Sequence, residues 1–254
     1  MDLGLADRRF LVGGASRGLG AAVARALAAE GARVAGVART PELGTEASAA
    51  AVIPVAVDLS NPDGAAQAVQ AAVGSLGGLD GLVVNSGGPP GGTFATVDEA
   101  AWERAIAGTL LSTIRLIREA LPHLRDGHDP AIVLVLSSSV REPIPGLVTS
   151  NVLRPGLAGL IKSLVTEIAP IRINGVAPGR FATERVRSLD EARAAESGAS
   201  VDEIEAQTRA RIPLGRYGDP DELGRVVAFL LSPAASYLDG VILPVDGGMI
   251  RSLP

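Results

Sequence analysis

Gly14-Ala15-Ser16-Arg17-Gly18-Leu19-Gly20 is the stretch that decides how this chain reads. An apolar run, Phe10–Val12, precedes it, and Leu19, Val23, Ala26 and Leu27 follow at helical spacing. A glycine turn between a strand and a helix lets backbone N–H groups approach a pyrophosphate, and the helix N-terminus adds positive potential there. The spacing is G-x-x-x-G-x-G rather than G-x-G-x-x-G. Taken alone, it reads equally well as a glycine-rich loop without a ligand.

The flanking chain supplies the context. Further apolar runs fall at Val34–Val37, Val52–Val57, Leu82–Val84, Ile132–Leu136, Ile171–Val176 and Val241–Val245. They are continuous rather than alternating, as strands buried on both faces should be. Segments of helical period lie between them, such as Ile106, Leu110, Ile114, Ile117 and Leu121, or Leu153, Leu157, Leu160, Ile161, Leu164 and Ile168. This alternation predicts an α/β fold, a doubly wound (Rossmann) parallel sheet in strand order 3-2-1-4-5-6-7, with residues 1–254 forming one domain. Pro54 and Pro244 cannot donate to a ladder, so the third and last strands belong at the edges. Gly87-Gly88-Pro89-Pro90-Gly91-Gly92 must be a loop. Residues 184–212, charged and alanine-rich, read as one or two small helices forming a flap over a substrate.

Composition removes several classes of function. The chain has 254 residues, is 47% hydrophobic and carries a net charge of −5, which suits one buried core and offers no basic patch for nucleic acid. Cysteine is absent, which excludes disulfides, thiolate zinc sites and a cysteine nucleophile. No apolar run approaches the ~18 residues of a membrane span, and Met1 to Phe10 has no apolar signal core. A cytoplasmic protein acting on a small molecule is expected. His123 and His128, five apart, read as solvated loop residues and no metal site is expected. Tyr217 and Tyr237 read as packing or interface residues, and Lys162 as solvent-facing.

Five marks occur in order along nearly the whole chain: the Gly14–Gly20 turn; Asp58-Leu59; Asn85-Ser86-Gly87-Gly88; Ile171-Arg172-Ile173-Asn174 leading to Pro178-Gly179; and Pro213-Leu214-Gly215-Arg216 through Asp246-Gly247-Gly248. With these the chain resembles the short-chain dehydrogenase/reductase family, especially its 3-oxoacyl-[acyl-carrier-protein] reductase-like members. The resemblance implies a nicotinamide dinucleotide held by Gly14, Ser16, Arg17, Gly18, Leu19 and Gly20. It implies that Asp58 holds the adenine amino group, that Leu59 lines its pocket, and that Asn85 and Gly87 back the ribose. Pro178, Gly179 and Thr183 would bracket the nicotinamide. A homo-oligomer, dimer or tetramer, is implied too. The second strand ends in Val37-Ala38-Arg39-Thr40, without the acid that usually holds a ribose 2′-hydroxyl. Arg39 and Arg17 suit a 2′-phosphate, so NADP (NADPH) is expected over NAD.

Ordinary family members use an Asn-Ser-Tyr-Lys set. Here the one lysine is Lys162, and four residues before it stands Ala158, so Tyr-x-x-x-Lys is absent. Pro155-Gly156-Leu157-Ala158-Gly159-Leu160 matches the apolar stretch just after the family's lysine. Arg154 then stands at the lysine position, Ser150 at the tyrosine position and Thr109 at the asparagine position. Alignment from the strand puts the serine at Ser138, the preferred reading, whereas spacing back from Ser150 puts it at Ser137. Arginine keeps a fixed charge but cannot relay a proton. Serine is a far weaker acid than a phenol, so general-acid help is reduced. Pro155 disfavours helical geometry at Arg154, so either the helix begins there or Arg154 points elsewhere. The expected function is an NADP-dependent oxidoreductase acting on a carbonyl or alcohol, 3-oxoacyl-like compounds included. The alternative is a cofactor-binding protein without turnover, acting as a sensor or oligomer partner.

Overall fold

The computed structural model describes residues 2–40 and 52–252. Seven parallel strands form one sheet in the order β3-β2-β1-β4-β5-β6-β7. They are β1 (Arg9–Gly13), β2 (Arg33–Ala38), β3 (Val52–Ala56), β4 (Gly81–Val84), β5 (Ala131–Val135), β6 (Arg172–Pro178) and β7 (Ile242–Val245). This is the order read from the sequence. Pro54 and Pro244 lie in the two edge strands, opposite Gly36 and Ala177, where a missing N–H leaves no second neighbour unpaired.

Helices cover both faces because the strand side chains alternate. On one face Leu11, Ala35, Val37, Leu82, Leu134 and Ile173 pack with α2 (Gly64–Leu76), α4 (Ser112–Arg125) and α5 (Val148–Glu167). On the other, Phe10, Val12, Val34, Val83 and Val133 pack with α1 (Gly18–Ala29) and α8 (Pro220–Leu231). Two buried layers therefore hold the sheet rigid, and its C-terminal edge carries the loops.

Three local features shape the region beyond that edge. First, α3 (Glu99–Ala105) runs into α4 through a π-helical stretch, Ile106–Leu111. Ser112 and Thr113 donate their hydroxyls to the carbonyls of Gly108 and Thr109, each at 2.7 Å, giving this wider stretch extra bonds. Second, Pro155 does not start α5. The helix begins at Val148, and the proline sits inside it, where it removes the donor for the Asn151 carbonyl. Third, residues 184–210 do form two helices, α6 (Glu184–Ser197) and α7 (Val201–Ala210). Each begins with a side-chain cap, from Thr183 and Ser200. Among the described residues no helix is long and apolar enough to cross a membrane.

Candidate active site

The glycine turn joins β1 to α1 beside β4, where the strand order reverses. Open α/β sheets hold ligands at such a reversal. Gly14 and Gly18 adopt left-handed φ values of +61° and +58°. A Cβ on Gly14 would lie 2.6 Å from the Asn85 carbonyl oxygen, and one on Gly20 2.1 Å from that of Gly14. The turn is thus bare backbone pressed against Asn85, whose Nδ2 donates to Gly14 O at 3.4 Å. No side chain caps α1 at Arg17, so its first N–H groups remain available to an anion. These residues fit the phosphates of a dinucleotide.

The start of α6 stands next to this cradle. The Thr183 methyl lies 3.6 Å from where a Gly18 Cβ would be, and the Thr183 hydroxyl accepts from Val186 N at 3.3 Å. Arg17 reaches across to α6 and pairs with Glu184 at 2.6 Å. Ser16 and Leu19 are half-buried within the turn. Arg39 is exposed just past β2. Ser60 donates to the Asp58 carboxylate from Oγ and N, holding it below the usual range, and the Arg39 charge adds to this. Leu59 lies 3.5 Å from a Cβ position on Gly13, so it borders the same crevice. Gly87 is exposed past β4. Pro178 ends β6, and Gly179 donates to Val245 O at 3.0 Å, packed so closely on Asp246 that a Cβ would lie 2.7 Å away.

A second polar group lies past β5. Ser137 caps a short 3-10 turn, Ser138–Val140, by accepting from Ser139 N at 3.1 Å. Ser139 Oγ lies 3.2 Å from Ser150 Oγ on α5, and both residues are buried. Ser138 is buried as well, but its structural bonds run through its carbonyl, to Arg141 N and Glu142 N. Sequence reasoning missed Ser139; the signal was the serine run, in which the first member is a ready cap.

Four residues along α5 from Ser150, Arg154 points inward despite Pro155. It is only 5% exposed, and donates from Nη1 to Val135 O at 2.6 Å and from Nη2 to Ser86 O at 3.2 Å. Burial, with no carboxylate to offset it, lowers its pKa to about 10. Its Nε and the Ser86 hydroxyl are buried with no hydrogen-bond partner. Thr109 is buried on the π-helical stretch that α5 packs against. The hydroxyl pair and the cation therefore collect at the ends of β4 and β5.

Lys162 is exposed, and Tyr237 is fully exposed. Tyr217 donates its hydroxyl to the buried Asp190 at 2.8 Å. A cavity of about 870 Å³ opens between α6, α7 and residues 215–217, but Arg187, Arg209 and Arg216 on its wall are each paired with a glutamate. The exposed His128 ring lies 3.8 Å from its neighbour Asp129, and no group of three or more metal-ligating side chains occurs among the described residues.

The profile of a family described as Enoyl-(Acyl carrier protein) reductase matches residues 14–250, from the glycine turn to the last loop. The chain belongs to the short-chain dehydrogenase/reductase family. The 3-oxoacyl-[acyl-carrier-protein] reductase FabG of Vibrio cholerae is 32% identical over 253 residues, covering 97% of this chain and 99% of that one. The L-sorbose reductase of Gluconobacter frateurii, solved with NADPH and L-sorbose, superposes with a TM-score of 0.92 at 29% identity, over 100% of both chains. A putative short-chain alcohol dehydrogenase from Sinorhizobium meliloti 1021 superposes with a TM-score of 0.89 at 33% identity, again over 100% of both chains. Relatives of this kind are oxidoreductases of small molecules, and the short-chain family's parallel sheet is the one observed here.

Proposed function

We propose that the chain is an NADP(H)-dependent oxidoreductase of a carbonyl or alcohol substrate, 3-oxoacyl-like compounds included, with an atypical catalytic set. Arg154 carries this reading: a buried guanidinium without an acid stands one turn from a buried hydroxyl pair. Gly14, Ser16, Arg17, Gly18, Leu19 and Gly20 hold the phosphates. Arg17 and Arg39 select the 2′-phosphate. Asp58 and Leu59 take the adenine, Asn85 and Gly87 the ribose, and Pro178, Gly179 and Thr183 the nicotinamide end. When bound, the cofactor donates or accepts hydride at its nicotinamide ring.

The chain's own part is electrostatic. Arg154 stays protonated at neutral pH, so it neutralises charge and does not pass a proton. Ser138 and Ser150, the latter bonded to Ser139, donate hydrogen bonds to the substrate oxygen. Thr109 backs the site. Solvent supplies the proton that a family tyrosine would have given. Losing such a general acid typically costs about 10²–10⁴ in rate, so turnover is slow. The chain acts as a homo-oligomer, as the family resemblance implies.

The replacement of the family's phenol and amine by Ser150 and Arg154 favours one second reading, a cofactor-binding protein without turnover. NADPH binding followed by a panel of carbonyl substrates tests both. Turnover by the native chain supports the oxidoreductase. Tight NADPH binding without turnover, with activity appearing in a Thr109→Asn, Ser150→Tyr, Arg154→Lys variant, supports the second reading. Failure to bind either nicotinamide cofactor removes both.

A further inference from the structure

We propose that Arg185 is a specificity-determining residue that binds a carboxylate carried by the substrate. This rests on the oxidoreductase reading of the same site.

Arg185 lies in the first turn of α6, two residues past the Thr183 cap. Its Nη2 donates to Pro89 O at 2.7 Å. Its Nε lies 3.1 Å from where a Cβ of Gly88 would be, so the guanidinium lies directly against the glycine-proline loop. Arg154 holds the other end of that loop through Ser86 O. Thr149, the neighbour of Ser150, donates to Pro90 O at 3.2 Å. Within five residues, therefore, one loop is gripped by the flap, by the buried cation and by the helix turn that carries Ser150. The shared loop brings Arg185 to the same cleft as Ser150.

Its charge is uncompensated. Among the described residues no carboxylate pairs with Arg185 or with Arg154, and desolvation alone acts on both guanidiniums. Three nearby arginines do have acids. Arg187 pairs with Glu191, Arg209 with Glu205, and Arg180, just before the flap, with Asp190. Arg193 instead bonds the Thr208 hydroxyl within the flap, whereas Arg185 turns toward the loop, where it meets a neutral carbonyl. A guanidinium has five N–H donors in a planar fork, and Pro89 O takes one. The remaining fork matches the two oxygens of a carboxylate. Two cations flanking one loop also raise the local potential, which draws an anion to the cleft.

The matching substrate class is an oxo acid or hydroxy acid, with the reacting oxygen toward Ser138 and Ser150 and the carboxylate toward Arg185. A charge-assisted bond of this kind is worth about 10- to 100-fold in affinity.

Calorimetric titration of acetoacetate and 2-oxoglutarate against their ethyl esters, with and without NADPH, tests this without requiring turnover. The acids should bind the native chain at least about tenfold more tightly than the esters. Arg185→Gln should abolish that ratio while NADPH affinity and thermal midpoint hold, and Arg185→Lys should restore part of it. Arg187→Gln, which alters the cavity between α6 and α7, should leave the ratio unchanged. Acids that bind no better than esters, or a ratio that survives Arg185→Gln, overturn the proposal. So does inorganic phosphate displacing the acids at equal concentration, which would make the site a phosphate site. If NADPH fails to bind while acids still outbind esters, the cofactor reading falls and the carboxylate site stands.

Discussion

The Oγ atoms of Ser139 and Ser150 stand 3.2 Å apart in the buried space between the end of β5 and the first turn of α5. Neither hydroxyl titrates near neutral pH, and Arg154 loses its proton only at about 10. Turnover should therefore be independent of pH from about 6 to 9, and should fall as the pH passes about 10 and the cation is neutralised. A bell-shaped profile centred near neutrality would show that another acid or base takes part.

Arg154→Met probes the cost of the buried charge. The folded pKa lies below the ordinary guanidinium value, at about 10. Below pH 10 both folded and unfolded chains carry the charge, so its burial penalty, on the order of 3 kcal/mol, is fully present. It is relieved only as the pH rises past about 10. Methionine removes both this penalty and two bonds to carbonyls, which partly cancel. The thermal midpoint should stay within about 4 °C of the native value, while NADPH affinity falls at least tenfold. A collapse of the midpoint by more than about 10 °C would make Arg154 a structural residue.

Arg17 and Glu184 are both largely exposed, 72% and 70% at the side chain, so their ion pair adds little stability. It does compete for a cation that a 2′-phosphate also seeks. Arg17→Ala should weaken NADPH binding more than NADH binding, and Glu184→Gln should strengthen NADPH selectively. The thermal midpoint should barely move in either. Equal effects on both cofactors would remove Arg17 from 2′-phosphate recognition.

Gly20→Ala places a methyl 2.1 Å from Gly14 O and 2.6 Å from Asn85 Nδ2. Neither backbone nor the short asparagine side chain can yield that much. NADPH binding should drop beyond detection, and the thermal midpoint should fall with it. Native-like affinity in this variant would contradict the packing of the turn.

Asp190 is fully buried on α6, where it accepts from the Tyr217 hydroxyl and faces Arg180 Nη1 at 3.7 Å. Burial first, and then the bond to Asp190, raise the Tyr217 pKa. Asp190→Ala strands the phenol and the arginine, a change that usually costs about 3–5 kcal/mol. Limited proteolysis should cut within residues 184–212 far faster than in the native chain. Unaltered cleavage would mean that other contacts anchor the flap.

The sheet was legible because its inner strands are buried on both faces and read as unbroken apolar runs, with Pro54 and Pro244 marking the half-exposed edges. The cofactor cradle was legible because only glycine fits at Gly14 and Gly20. The polar centre was legible only in part. Ser150 and Arg154 come from helical register, but the choice among Ser137, Ser138 and Ser139 depends on a 3-10 turn too short to have a period. Pro155 misled in another way: local preference argued for a helix start, and the packing of Leu153, Leu157 and Ile161 carried the helix through it. Arg185 had no signal, since its meaning lies in a loop nearly a hundred residues away.

The π-helical stretch gives one continuous rod two phases. A regular α-helix turns about 100° per residue, so the orientation of Thr109 would otherwise fix that of Leu116, Ile117, Ala120 and Leu124. The wide turn breaks that linkage. The lower half of the rod can keep its apolar stripe against the sheet while the upper half turns Thr109 inward. Deleting one residue from Ile106–Leu111 would restore a uniform helix and force the core and the site to compete for a single rotation.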